Sequence, residues 1–394
     1  MDQLCHLELI ADNHTYKQYL AGRDAITIML DNKRFVMHHI FNPLDRAPRR
    51  ACMPNSTGRF RTLMLCVFAT LSFGGIAHAD GPPFDLPVDC LNGECEIVHY
   101  VDHDAGPEIR DYACGTTTYN GHRGTDFAIP DEATMLSGVA VRAIADGTVT
   151  ALREGVEDID SGRLDKDSLE GVECGNGILI DHANGWQSQY CHLRRGSVAV
   201  KNGDTVSRGQ AIAQIGMSGQ ATFAHLHFNL RKDKQLVDPF SGTVMGASST
   251  SDCTAENAVL WSSTARQQMT YNDVTLYGHG FSMARPNASD LKRGYGKELE
   301  LPRSAPALYF WAYLIGANNG DVIRLSLQSP NGKGGHRDFT IDLPNDQGPR
   351  AKWFFINMDR PGNLWPAGSY HGEVTFTRPG QAPKTIGNTD LTIR

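Results

Sequence analysis

The stretch Ala221-Thr222-Phe223-Ala224-His225-Leu226-His227-Phe228-Asn229-Leu230 decides the reading of this chain. It is rich in β-forming residues, and side chains along a strand alternate faces. His225, His227 and Asn229 then project together, while Leu226, Phe228 and Leu230 face a core. Two imidazoles on one face suit a metal ion, zinc in particular. The pair alone is weak evidence, because two half-exposed strand histidines give the same pattern. A further ligand has to come from elsewhere in the chain.

Upstream, Tyr119-Asn120-Gly121-His122-Arg123-Gly124-Thr125-Asp126 sets a histidine and an aspartate four residues apart. Its glycines and Thr125 argue against a helix, and in an extended chain an even spacing puts both side chains on one face. Tyr190-Cys191-His192 adds another histidine at the end of an expected hairpin. His122, Asp126 and His227 make a three-ligand set that leaves a fourth tetrahedral position for water. His192 and His225 are then unligated imidazoles suited to proton transfer. The zincin pattern His-Glu-x-x-His does not occur. His182 sits at a turn and reads as structural or solvated. His99, His103, His279, His336 and His371 have no partners at useful spacing and read as surface residues.

The surroundings are those of an all-β chain. Its 40 glycines and 19 prolines are scattered among β-branched residues, which favours short strands and turns. Val139–Ala145, Asp146-Gly147 and Thr148–Ala151 read as strand, turn, strand. Gly177–Asp181 and Trp186–Tyr190 read as a hairpin about Asn184-Gly185. Two more short strands with glycine corners fall in Val200–Ile212. Between them, residues 153–173 are acidic and poor in apolar residues, as in a solvated surface insertion. Over 394 residues, 40% hydrophobic and 21% charged content is globular, with room for two or three domains. A net charge of −7 gives no basic footprint for nucleic acid.

In order, His122-x-x-x-Asp126, Tyr190-x-His192-Leu193 and His225-Leu-His227-Phe228 resemble the lysostaphin/LytM-type zinc metallopeptidases. Asp181-His182-x-Asn184-Gly185-Trp186 and Val200-x-x-Gly203-Asp204-x-Val206-x-x-Gly209-Gln210 are further turns of the same pattern. The resemblance covers residues 97–240. It implies an antiparallel β-roll that hydrolyses peptide bonds in peptidoglycan cross-links, with stem peptides as substrate. It also implies one Zn²⁺ per chain on His122, Asp126 and His227. His225 would be general base on the metal-bound water, and His192 would stabilise the tetrahedral intermediate. The family usually shows Gly-Pro before His-Leu-His and Glu after its Phe. Here Phe223-Ala224 and Asn229 stand instead, which bears on substrate contacts more than on metal binding.

The remaining segments frame that unit. Residues 53–79 have the charged, apolar and small-residue order of a signal peptide, with cleavage expected after Ala79. Residues 1–52 then read as an over-long gene start, and the mature chain as periplasmic or secreted without a stable membrane span. After cleavage Cys90, Cys95, Cys114, Cys174, Cys191 and Cys253 remain, an even set suited to disulfides. Cys90–Cys95 is the expected local bridge, and the other four leave three pairings open. The peptidase domain is expected over 80–240, a linker over 241–253, and a second β-sandwich, immunoglobulin-like, over 254–394. A protein partner could dock on that last domain. A chain ending near Ser248 is expected to fold on its own.

Two other classes compete with a peptidase. A catalytically silent relative could bind wall and activate another hydrolase, although here every ligand position is filled. A lipoyl- or biotinyl-type carrier, suggested by Val200–Ile212, would need a lysine at a hairpin tip in a Met-Lys-Met or Asp-Lys-Ala setting, and none is present.

Overall fold

A computed structural model of the chain describes residues 83–88, 95–246, 260–343 and 351–394. It also describes four strands near the start, Glu8–Ala11, His14–Leu20, Ala25–Leu30 and Lys33–His38, which pair in order as an antiparallel meander. The segment 53–79 and its cleavage point lie outside the described residues, as do Cys90, Cys253 and most of the linker. From Phe84 onward the described chain is β-structure with a few short helices such as Glu132–Ser137. No described helix is long and apolar enough to cross a membrane.

The site is carried by one large sheet. Its strands run in the order Thr205–Val206, Gly147–Arg153, Asn176–Asp181, Trp186–Leu193, His225–Lys232, Thr125–Ala128 and Glu96–His99. His225–Lys232 lies inside this sheet and alternates as its sequence dictates. Leu226, Phe228 and Leu230 are fully buried, each contributing about 1.5–3 kcal/mol of transfer free energy. The hairpin about Asn184-Gly185 is present, with Gln187 opposite Asp181 and both turn residues at positive φ. The other expected hairpin is not. Ala140–Arg142 pairs with Ala211–Gln214 in a separate two-stranded sheet, while Gly147–Arg153 pairs with Asn176–Asp181 in the main one. The turn at Asp146 therefore carries the chain between sheets, and both strands take partners distant in sequence.

The second half forms two further sheets. Thr275–Ser282, Leu308–Ile315 and Lys352–Met358 make one; Glu300–Leu301, Lys384–Ile393, Gly368–Thr377, Val322–Gln328 and Gly334–Thr340 make the other. Phe281, Phe310 and Leu314 from the first meet Ile323, Leu325, Val374 and Leu391 from the second in one core.

The two halves also share apolar surface. Trp261 and Ala265, which follow the linker, are buried in the core of the site-bearing half; Trp261 packs on Phe228 and Phe240 at ring-centroid distances of 5.9 and 5.7 Å. Val98 and Ala128 join Tyr277, Trp311, Tyr313 and Ile315 in another cluster, with Phe223 against it. Polar ties flank it, including Lys292 Nζ to Asp160 Oδ2 at 3.1 Å and Lys297 to Asp131. A chain cut near Ser248 would expose this surface, so independent folding is no longer the expected outcome. Trp261→Ala is expected to cost about 3–5 kcal/mol, read as a fall in the denaturant midpoint. A loss below about 1 kcal/mol would show that the first core closes without residues beyond the linker.

Candidate metal centre and cleft

Three neighbouring strands set up the centre. Asp126 on Thr125–Ala128 lies directly opposite His227 on one side and His99 on the other. His122 is not on the same extended segment as Asp126. It sits in the turn before that strand, with His122 N bonded to Tyr119 O, and the turn folds its ring back over the carboxylate. The donor atoms of His122, Asp126 and His227 lie within 4.8 Å of one another, the one such group among the described residues. His122 Nε2 is 3.2 Å from both Asp126 Oδ1 and His227 Nδ1, and His227 Nδ1 is 2.8 Å from Asp126 Oδ1. Tetrahedral ligands at zinc bond lengths near 2.0–2.1 Å stand about 3.3 Å apart. The set therefore fits a small divalent ion with little movement.

The outer contacts suit the same purpose. His122 Nδ1 donates to Tyr100 O at 2.7 Å, which fixes the tautomer and leaves Nε2 with its lone pair at the centre. His99 Nδ1 lies 3.0 Å from Asp126 Oδ2 and holds the carboxylate from behind. Burial opposes ionisation of Asp126 most strongly. The His122 and His225 rings, with hydrogen bonds from His122 and His227, nonetheless hold its carboxyl well below the usual carboxylate range. The ligand is thus charged at neutral pH.

His99 and His103 are not surface residues. His99 is 8% exposed and His103 is 9% exposed, and His103 Nε2 meets the buried Asp238 at 2.7 Å. The signal for His99 was its strand, Glu96–His99, which pairs beside Asp126 although it lies far upstream. His182 is structural, bonded to Asp146 O and Ser188 Oγ.

His192 and His225 stand at the same centre. Strict alternation would turn His192 toward the core with Tyr190. A break in register between Tyr190 and Leu193, with His192 at φ 61°, re-aims its ring to the metal side. The His192 and His225 rings are 4.7 Å apart, and His192 and His227 are 5.8 Å apart. His225 Nδ1 donates to Phe223 O at 2.9 Å and His192 Nδ1 to Ser218 O at 2.8 Å, so each Nε2 carries the lone pair when neutral. Burial lowers the pKa of both rings below the ordinary histidine value, His192 well below it, which keeps them neutral and able to accept a proton. His225 Nε2 lies 3.7 Å from Asp126 Oδ1.

A cleft of about 490 Å³ opens beside these residues, lined in part by Tyr119, Arg123, Glu173, Gln189, Asn229 and Arg231. Asn229 shares the ligand face, as its spacing predicts. Its Nδ2 donates to Arg123 O at 3.2 Å and lies 3.4 Å from His227 Nε2. Glu173 closes the acidic segment 153–173, so one end of that insertion edges the cleft. Cys174–Cys191 is disulfide-bonded across it, which settles one of the open pairings. Cys95 and Cys114 each take part in a disulfide as well.

The model for peptidase family M23 matches residues 120–239, the segment that supplies every side chain of the centre except His99. This chain carries a peptidase family M23 domain. The chain is 35% identical over 124 residues to "DD-carboxypeptidase/endopeptidase Mpg" of Neisseria meningitidis, a match covering 32% of this chain and 23% of that protein. It is 32% identical over 128 residues to "Peptidoglycan DD-endopeptidase ShyA" of Vibrio cholerae, covering 32% and 24%. The match thus spans about a quarter of these relatives' own length. Among solved structures, the catalytic domain of lysostaphin from Staphylococcus simulans is 24% identical with a TM-score of 0.23, over 36% of this chain and 85% of that one.

Close packing in the M23 domain bears on the candidate metal centre. A Cβ on Gly124 would stand 2.6 Å from both His227 Nε2 and Phe228 O. Neither contact can stand, so the substitution pushes the His227 ring aside and forces the Gly124 backbone away from the Phe228 carbonyl. Gly124→Ala is therefore expected to weaken metal affinity by about 10- to 100-fold, the range seen when ligand orientation is disturbed. Competition with a chromogenic chelator measures this, and an unchanged affinity would show that the ring position is not set by Gly124.

Proposed function

We propose that this chain is an exported zinc metalloendopeptidase that hydrolyses peptide cross-links of peptidoglycan in cell-wall remodelling or degradation. The observation that carries the reading is the convergence of His122 Nε2, Asp126 Oδ1 and His227 Nδ1 beside the His192 and His225 rings, with His192 and His227 lining a cleft. The wall substrate is supported by the relatives named for peptidoglycan endopeptidase activity. In this reading residues 80–240 are the peptidase, 241–253 the linker and 254–394 an immunoglobulin-like sandwich, working in the periplasm or outside the cell. The shared cluster of Tyr277, Trp311 and Phe223 gives that sandwich a supporting role behind the site.

His122, Asp126 and His227 would hold one zinc per chain. When bound, zinc supplies a Lewis acid for the scissile carbonyl and for water. The residues present do the rest. His225 Nε2, with Nδ1 committed to Phe223 O, is the atom placed to take a proton from attacking water and return it to the leaving amine. His192 faces the same space, but Nε2 donates to a developing oxyanion only once protonated, because Nδ1 already spends its hydrogen on Ser218 O. The proposed stabilising role of His192 thus requires proton uptake during the reaction.

Digestion of purified sacculi, with released fragments identified by mass spectrometry, tests the reading. Conversion of cross-linked dimers to monomers is expected. Wall binding without release of any peptide fragment would replace the peptidase by the silent, wall-binding class.

A further inference from the structure

The bend before the strand His225–Lys232 is held in part by side chains from the far half of the chain. Residues 221–224 lie outside the ladder of that strand, so their carbonyls need partners from elsewhere. Each has one. Ala221 O accepts from Ser161 N at 2.8 Å, and Ala224 O from Ile129 N at 3.2 Å. Thr222 O accepts from Lys292 Nζ at 2.7 Å. Phe223 O accepts from His225 Nδ1 at 2.9 Å. The acceptor that sets the His225 tautomer therefore sits one peptide from a carbonyl held by the C-terminal half.

Lys292 is built into that position. It ends the short helix Ala288–Lys292, whose Leu291 is buried in the cluster shared with Val98 and Ala128. Its Nζ also lies 3.1 Å from Asp160 Oδ2. Asp160 caps the turn Ser161–Arg163, and Ser161 of that turn donates to Ala221 O. One ammonium thus joins the supports of two successive carbonyls.

The Phe223 ring is held from the same half of the chain. It stacks on the His225 ring with centroids 4.5 Å apart, and Tyr277 meets it edge-on at 5.8 Å. Tyr277 in turn packs on Tyr313 at 5.3 Å. Tyr277 is buried, and its hydroxyl has no hydrogen-bond partner among the described residues. Its contribution is therefore the packing of its ring.

We propose that Lys292 and Tyr277 are positioning residues for His225, holding the bend whose carbonyl and aromatic ring fix that imidazole. The inference rests on the peptidase reading above and gives the C-terminal half a part in the rate as well as in stability. A displacement of about 1 Å at a reacting group can cost on the order of 10²-fold, which sets the scale of the expected losses.

Lys292→Met keeps the aliphatic stem and removes the donor. In the full chain it should lower kcat on a cross-linked muropeptide dimer by about 10- to 100-fold, with KM and zinc content unchanged. Lys292→Arg should recover part of the rate, and Tyr277→Phe should retain more of it than Tyr277→Leu. Histidine-ring ¹⁵N NMR of the zinc-loaded protein reads the same event without turnover. His225 should show a fixed Nδ1–H tautomer in the wild-type protein and a mixture in Lys292→Met, while His182, held by Asp146 O, stays as it is. A tautomer disturbed by Lys292→Met supports the inference even if no substrate is cleaved, so failure of the peptidase reading shows separately. A wild-type kcat in Lys292→Met, or a slowed variant with an unchanged His225 signal, would overturn the inference and leave the peptidase standing. Loss of zinc along with the rate would assign Lys292 to general stability and overturn it as well.

Discussion

His227→Ala is expected to abolish stoichiometric zinc binding and to lower hydrolysis on the order of 10³-fold or more, because the Lewis acid leaves with the metal. The geometry makes this the most damaging single change at the centre. His227 Nδ1 is 2.8 Å from Asp126 Oδ1 and 3.2 Å from His122 Nε2, so removing it opens the triangle on two edges. Two protein ligands remain, fewer than the three that zinc sites of this kind require. The fold should survive, since the His227 side chain is 16% exposed while the anchoring neighbours Leu226 and Phe228 keep their core packing. Metal analysis and a thermal midpoint on one preparation separate the outcomes. A variant that still binds one zinc and cleaves substrate would remove His227 from the ligand set.

His225→Ala should behave differently, retaining zinc while losing roughly 10²–10⁴-fold in rate, the contribution of a positioned acid–base group. His225 lies two residues before His227 on the same strand face. Its Nε2 is 3.7 Å from Asp126 Oδ1, outside hydrogen-bond reach, and its Nδ1 is fixed by Phe223 O. Its ring is also held on one side by Phe223 at 4.5 Å. A side chain so fixed, yet with a free acceptor atom at the metal edge, is placed for proton transfer. If it serves only in packing, the alanine variant will lose stability but turn over at a near-wild-type rate.

The residues of the centre were legible because each rests on a local pattern. Alternation along His225–Leu230 and the short interval from His122 to Asp126 needed no tertiary information, although a turn rather than an extended strand joins the latter pair. The role of His99 was not legible. It depends on a strand pairing between Glu96–His99 and Thr125–Ala128, and long-range register has no local signature. His192 was found by motif, yet plain alternation would have sent it into the core, and only the bulge at φ 61° explains its position. The strands about Asp146 looked like a hairpin because a turn dipeptide separates two apolar runs. Such a dipeptide specifies a reversal or corner, not which sheet receives the next strand. The burial of Trp261 behind Phe228 was equally hidden, because a polar linker in sequence says nothing about how the flanking apolar residues dock.

The most direct test of the account is a crystal of the zinc-loaded protein measured on both sides of the zinc absorption edge. The account predicts one anomalous peak per chain within bonding distance of His122 Nε2, Asp126 Oδ1 and His227 Nδ1, with His192 and His225 uncoordinated. A peak elsewhere, or one ligated by His192 or His225 in place of any of the three, would contradict it.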